Sequence, residues 1–105
     1  MPEEPATRLD RDADVVTMAL HGEVDILTVD EVRRSLTEAV ESRPSAIVVD
    51  LSALSFIDST GLGALIFGFQ RAREAGIGFR LARPSPNVRQ ILTLSGLLEV
   101  VEVGE

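Results

Sequence analysis

The chain contains no cysteine. That one absence removes disulfides, thiolate zinc sites and cysteine nucleophiles together, and it fits a reducing compartment. It contains no lysine either, because all ten basic residues are arginine. A Walker lysine, a Schiff-base lysine and a Ser-x-x-Lys centre are therefore excluded within this chain. Histidine occurs once, at position 21, too few for a metal site of recognisable spacing. The longest apolar stretch, Gly61 to Phe69, is too short to span a bilayer. The amino end, Met1-Pro2-Glu3-Glu4-Pro5, lacks the basic start and apolar segment of a signal peptide, so a cytoplasmic protein is expected. Positive charge is also scarce. The formal net charge is −7, and residues 1–30 hold eight acids against two arginines, a surface unsuited to nucleic acid.

What is present suffices for one core. A length of 105 residues at 45% apolar composition predicts a single domain over residues 7–105, preceded by a frayed tail over residues 1–6. Thr7 to Arg11 reads as an edge strand, Asp12-Ala13-Asp14 as a turn, and Val16, Met18 and Leu20 as the inward set of a second strand. His21 then points away from that set. Thr28 with Glu31 three residues later predicts a capping box, followed by a helix whose stripe is Val29, Val32, Leu36, Ala39 and Val40. Pro44 ends it.

A strand over Ala46 to Asp50 follows, with the run Ile47-Val48-Val49 suited to burial on both faces. Leu51 to Ile57 reads as a loop. From Asp58 the apolar period becomes helical through Leu62, Leu65, Ile66, Phe69 and Ala72, as far as Ala75. Gly76 stops that helix and Gly78 to Arg83 forms a further strand. Ser85 caps a short helix with Pro86 at its first position, Gly96 ends it, and Leu98, Val100, Val101 and Val103 supply a last strand. The order ββαβαβαβ predicts an α/β fold, a mixed sheet with parallel crossovers covered by helices.

Chemistry concentrates at Asp58-Ser59-Thr60-Gly61, where a strand's carboxyl end meets a helix's amino end. Ser59 is the leading candidate, because free backbone N–H groups and the positive end of the helix dipole would stabilise a phosphate there. Asp and Ser are also the commonest N-caps, so on the residues alone a purely capping role is the more ordinary reading. Glycines at 61, 63 and 68 each cost about 1 kcal/mol inside a helix, which close approach of another surface would offset. For Gly68 that surface is the sheet or the first helix; for Gly61 and Gly63 it is a partner reaching the Ser59 hydroxyl. A nucleotide loop is the rival, but Gly61-Leu62-Gly63 does not complete G-x-G-x-x-G. No G-x-S-x-G elbow surrounds Ser59 for a hydrolase using His21. Phe56, Ile57 and Leu62 flank the serine and read as core, or as a contact patch if exposed. Asp25 and Asp50 both follow strands and are placed at the same end of the sheet, with turn formation as their ordinary role.

The segment Asp50-Leu51-Ser52-Ala53-Leu54-Ser55-Phe56-Ile57-Asp58-Ser59-Thr60-Gly61-Leu62-Gly63, preceded by Gly22-Glu23-Val24-Asp25, closely resembles the STAS domain of bacterial anti-sigma factor antagonists. The resemblance covers nearly the whole chain. It implies a non-catalytic module that binds an anti-sigma factor, itself a serine kinase of the histidine-kinase-like ATPase fold, and so releases a sigma factor. It further implies that the kinase phosphorylates Ser59, that a PPM-type phosphatase restores the hydroxyl, and that Thr60 is not the acceptor. The contact residues so implied are Asp25, Phe56, Ile57, Asp58, Thr60, Gly61, Leu62 and Gly63, with no cofactor, metal or membrane. The alternative is a STAS scaffold subunit of a stress-sensing or lipid-transport complex, never phosphorylated.

Overall fold

The computed structural model describes residues 7–104, so the tail expected over residues 1–6 lies outside it. β1 (Thr7–Asp12) and β2 (Val15–Val24) form an antiparallel hairpin that turns tightly at Ala13-Asp14, where Ala13 takes a left-handed φ of 54°. The chain continues through α1 (Val29–Glu41), β3 (Ala46–Ile57), α2 (Ser59–Glu74), β4 (Gly78–Ala82), α3 (Pro86–Ser95) and β5 (Glu102–Gly104). The strands lie in the order β1-β2-β3-β4-β5, and every pair after the first is parallel.

This order dictates where the helices go. Each parallel crossover moves one strand along in the same direction, and right-handed crossovers then place all three helices on one face. Side-chain burial follows that division. Val16, Met18 and Leu20 of β2 and Ile47, Val49 and Leu51 of β3 join Val88 and Leu92 of α3 in one core, whereas Val15, Thr17, Ala19 and Val48 on the other face stay partly exposed. Among the described residues no helix is long and apolar enough to cross a membrane.

Four local expectations are corrected. First, β3 does not end at Asp50 but runs on to Ile57 through the segment read as a loop. Two register shifts against β2, after Ala19 and after Gly22, mark bulges in β3. Each bulge adds a residue, so the buried positions Leu51, Leu54 and Ile57 recur every third residue and the alternation that signals a strand disappears. Second, the capping box does not form. Thr28 Oγ1 donates to the Glu23 carbonyl and accepts from the Asp25 N–H, both at 3.1 Å, while Glu31 accepts the Thr7 N–H at 3.0 Å and ties α1 to β1.

Third, α2 keeps Leu65 and Ala72 of the expected stripe buried and Leu62 and Phe69 packed against the core, but the small residues Gly61, Ala64 and Gly68 complete the buried face and Ile66 is exposed. A line of small residues lets the helix lie closer to its neighbours. A Cβ at Gly68 would stand 2.7 Å from Leu36 Cδ2, so α1 and α2 meet at a distance that only glycine permits. Fourth, the carboxyl end makes a 3-10 turn over Leu97–Glu99 before a strand limited to Glu102–Gly104.

Candidate functional site

The site forms where β2 and β3 end together. Val24 pairs with Ile57, and the Asp58 N–H donates to the Val24 carbonyl at 3.1 Å, which ties the start of α2 to the end of β2. Asp58 is extended, and its Oδ1 accepts the Gly61 N–H at 2.9 Å. Asp58 is therefore the N-cap of α2, which leaves Ser59 as the first helical residue with its side chain exposed. The capping role and the exposed hydroxyl thus belong to different residues. Thr60 beside it is half-buried.

The segments that meet at this end of the sheet are acidic and apolar. Residues 22–28 and 55–63 contain Glu23, Asp25 and Asp58 but no arginine. Asp25 Oδ1 accepts the Leu27 N–H at 2.9 Å, a tight turn that pushes Ile26 and Leu27 outward at 74% and 88% exposure. Phe56, register partner of Glu23, is also exposed, and Leu62 is half-buried against the core. Ile26 and Leu27 are contact candidates that sequence reading missed. Nothing in a pattern of apolar letters distinguishes a turn that displays two aliphatic residues from one that buries them.

Several implied contact residues play other parts. Ile57 is 1% exposed and cannot present its side chain to a partner. Gly61 is buried as well, and a Cβ there would stand 2.6 Å from Ile57 Cγ1 and 2.8 Å from Val24 Cγ1. Its lack of a side chain serves the packing of the first turn of α2 onto the strand ends. Gly63 differs, since a Cβ built on it meets nothing within 4 Å. Of the two glycines beside Ser59, only Gly63 presents an open side.

Asp50 is not at this end of the sheet. It sits within β3 between Ala19 and Ala82, where it accepts Arg83 Nη2 at 2.7 Å and the Ser52 N–H at 3.0 Å. Burial pushes its carboxyl up, but the Arg83 and Ser52 hydrogen bonds outweigh that and hold it below the ordinary carboxylate range. His21 lies beside Ala53 in mid-sheet, with Nδ1 unpartnered among the described residues. The bulged end of β3 is fixed by two further bonds, Ser55 Oγ to the Gly22 carbonyl at 2.9 Å and Asn87 Nδ2 to the Ser55 carbonyl at 3.0 Å. They hold the approach to Ser59 between β2 and α3.

This geometry can offer a hydroxyl, accept a phosphate on free N–H groups, and dock a partner on a small apolar rim. The chain as a whole is similar to known proteins. An anti-sigma F factor antagonist of Lysinibacillus sphaericus is 36% identical over 86 residues, covering 80% of this chain and 73% of that protein. The anti-sigma factor antagonist SpoIIAA, solved in its unphosphorylated form, superposes with a TM-score of 0.80 at 26% identity, over 95% of this chain and 89% of that one. The phosphorylated form of the Bacillus cell fate determinant SpoIIAA gives 0.73 at 25% identity, over 95% and 92%. A family model described as the STAS domain matches residues 6–105, and the chain, with its five-stranded mixed sheet and exposed serine at the start of α2, belongs to that family.

Proposed function

We propose that this protein is a cytoplasmic anti-sigma factor antagonist, a binding module without catalysis of its own that is switched by phosphorylation of Ser59. The observation that carries the reading is the division of labour at the start of α2. Asp58 does the capping, so the Ser59 hydroxyl is exposed at the end of the sheet where Ile26, Leu27 and Phe56 are also exposed. Support comes from the relatives named as antagonists and from SpoIIAA, which is known in both phosphorylated and unphosphorylated forms.

In this reading the unmodified protein binds an anti-sigma factor that is also a serine kinase of the histidine-kinase-like ATPase fold. The kinase phosphorylates Ser59, and a PPM-type phosphatase reverses it. Phosphorylation adds about −1.5 to −2 charges. Residues 22–28 and 55–63 contain no arginine, so these segments supply no cation to pair with the added charge. If burying it costs about 2 to 5 kcal/mol, affinity falls about 30-fold to several-thousand-fold, enough to exchange partners without refolding the domain.

The test uses the kinase with three variants. Ser59→Ala binds it and takes no phosphate, Ser59→Asp binds weakly, and Leu27→Asp binds weakly although its serine is intact. Equal binding by Ser59→Ala and Ser59→Asp refutes the switch. Wild-type affinity in Leu27→Asp refutes the docking surface.

A further inference from the structure

The outer edge of β1 has no strand partner among the described residues. From its hydrogen-bond parity and its charges we infer that this edge pairs antiparallel with β1 of a second copy, making a two-fold dimer with one continuous sheet. The inference does not depend on what the Ser59 surface binds.

The parity comes from the hairpin. Asp12 and Val15 flank the two-residue turn, so they form a hydrogen-bonded pair, and such pairs alternate along an antiparallel ladder. Arg8, Asp10 and Asp12 therefore bond to β2, whereas Thr7, Leu9 and Arg11 direct their backbone N–H and C=O groups outward. Thr7 conforms, because its N–H goes to Glu31 and not to β2. On the sheet face without helices stand Arg8, opposite Ala19, and Asp10, opposite Thr17; on the helix face stands Leu9, opposite Met18.

A two-fold axis at Leu9 partners the outward groups of Leu9, the Arg11 N–H and the Thr7 carbonyl, while the Thr7 N–H stays with Glu31. Leu9 meets the second copy's Leu9 and exchanges both backbone hydrogen bonds with it. Arg8 then lies opposite the second copy's Asp10, and Asp10 opposite its Arg8, in the closely spaced pairs of the ladder. The alternatives fail. A slip of one residue brings side chains of opposite faces together. A slip of two residues places Arg8 on Arg8 or Asp10 on Asp10 at the axis, where like charges repel.

Leu9, with Val16 and Ala39, also lines a groove of about 170 Å³ between β1 and α1, whose apolar floor the second Leu9 would extend. Charged edge strands ordinarily discourage pairing. Here the charges alternate in sign, so the edge repels unrelated strands and complements itself. Ser59 follows β3, two strands away, so the dimer would leave both serines free.

The test is sedimentation velocity over a wide concentration range, with hydrogen exchange on the same samples. The mass rises from one chain toward two, and the Leu9 and Arg11 N–H groups slow in exchange as it does so. Arg8→Glu and Asp10→Arg, each exposed and outside the core, separately weaken the dimer by about tenfold or more, because the symmetry repeats each clash. The double variant Arg8→Glu/Asp10→Arg keeps the net charge, restores opposite signs across the axis, and returns the dimer to within about threefold of wild type. A single-chain mass at every concentration overturns the inference. So does a dimer indifferent to the single reversals, which would use another surface, and so does failure of the double variant to recover.

Discussion

Gly61 and Gly63 lie two residues apart in one helix, and alanine at each should move stability in opposite directions. In a helix interior alanine is favoured over glycine by about 0.5 to 1 kcal/mol, whatever the site. At Gly63 nothing opposes that gain, because an added Cβ finds no atom within 4 Å. At Gly61 the Cβ would press on Ile57 Cγ1 at 2.6 Å, Val24 Cγ1 at 2.8 Å and Ile57 Cδ1 at 3.1 Å. Ile57 and Val24 are 1% and 0% exposed, so neither can swing into solvent to make room. Overpacking of this kind costs about 1 to 3 kcal/mol. Gly63→Ala is therefore stabilised by up to about 1 kcal/mol, Gly61→Ala is destabilised by up to about 2, and the two differ by roughly 1 to 3 kcal/mol. For a domain of this size that is a separation of about 4 to 20 °C in Tm. Urea titration of both variants, at equal m-values, measures the difference directly. If Gly61→Ala equals or exceeds Gly63→Ala in stability, the packing account of Gly61 is wrong. A functional contrast follows from the same geometry, since the stabilised Gly63→Ala should lose affinity for the partner if docking uses the open side of the helix.

Two further predictions concern carboxylates. Asp58→Ala should cost about 1 kcal/mol by freeing the Gly61 N–H, and Asp58→Asn should recover most of it because an amide oxygen still accepts; equal loss in both on thermal melts would show that charge, not capping, matters. Asp50 is held below its ordinary range in the fold, so its contribution is full above about pH 4 and is lost as pH falls through the lowered folded value. Asp50→Asn should then be less stable than wild type at pH 7, with the gap closing as the solution is acidified, and a gap constant from pH 7 to pH 2 would refute the assignment.

Much of this fold was legible because its signals are local. Alternation in β2, the stripe of α1, the Ser85-Pro86 start of α3 and the glycine stops at 76 and 96 each carry their own punctuation, and all stand where the sequence placed them. The misses share a different cause. Leu51, Leu54 and Ile57 repeat every third residue, because two bulges add residues that no alternating template contains. In α2 nearly every residue from Leu62 to Phe69 is apolar or glycine, so the period does not choose a face, and the choice falls to close contact with Leu36 at Gly68. Thr28 and Glu31 match a capping box letter for letter, yet both are taken by longer-range partners, Glu23 and Thr7. At the start of α2, the sequence offered both Asp58 and Ser59 as caps and could not choose between them, which needed the Asp58 to Gly61 bond. Nor did it place Asp50 seven residues from the site end, a consequence of the same bulged extension.

How a phosphate on Ser59 would act can be distinguished by salt. One route is repulsion at a distance, between the phosphate with Glu23, Asp25 and Asp58 and any acidic surface on the partner. Such repulsion is screened over about 8 Å at physiological ionic strength and over about 3 Å at 1 M salt. The other route is desolvation, in which the charge is carried into a dry contact and finds no donor beyond the helix N–H groups. Ions in bulk solvent do little to relieve that cost. The exposed apolar residues Ile26, Leu27 and Phe56 at the same end of the sheet argue for a dry contact, and therefore for desolvation. The ratio of kinase affinities for the unmodified and phosphorylated proteins should accordingly change by less than about threefold between 0.1 and 1 M sodium chloride, although both affinities drift. Calorimetry on the two forms at each salt concentration measures the ratio. A ratio that collapses toward unity at 1 M salt would show that the switch works through long-range charge, and the apolar rim would then need another role.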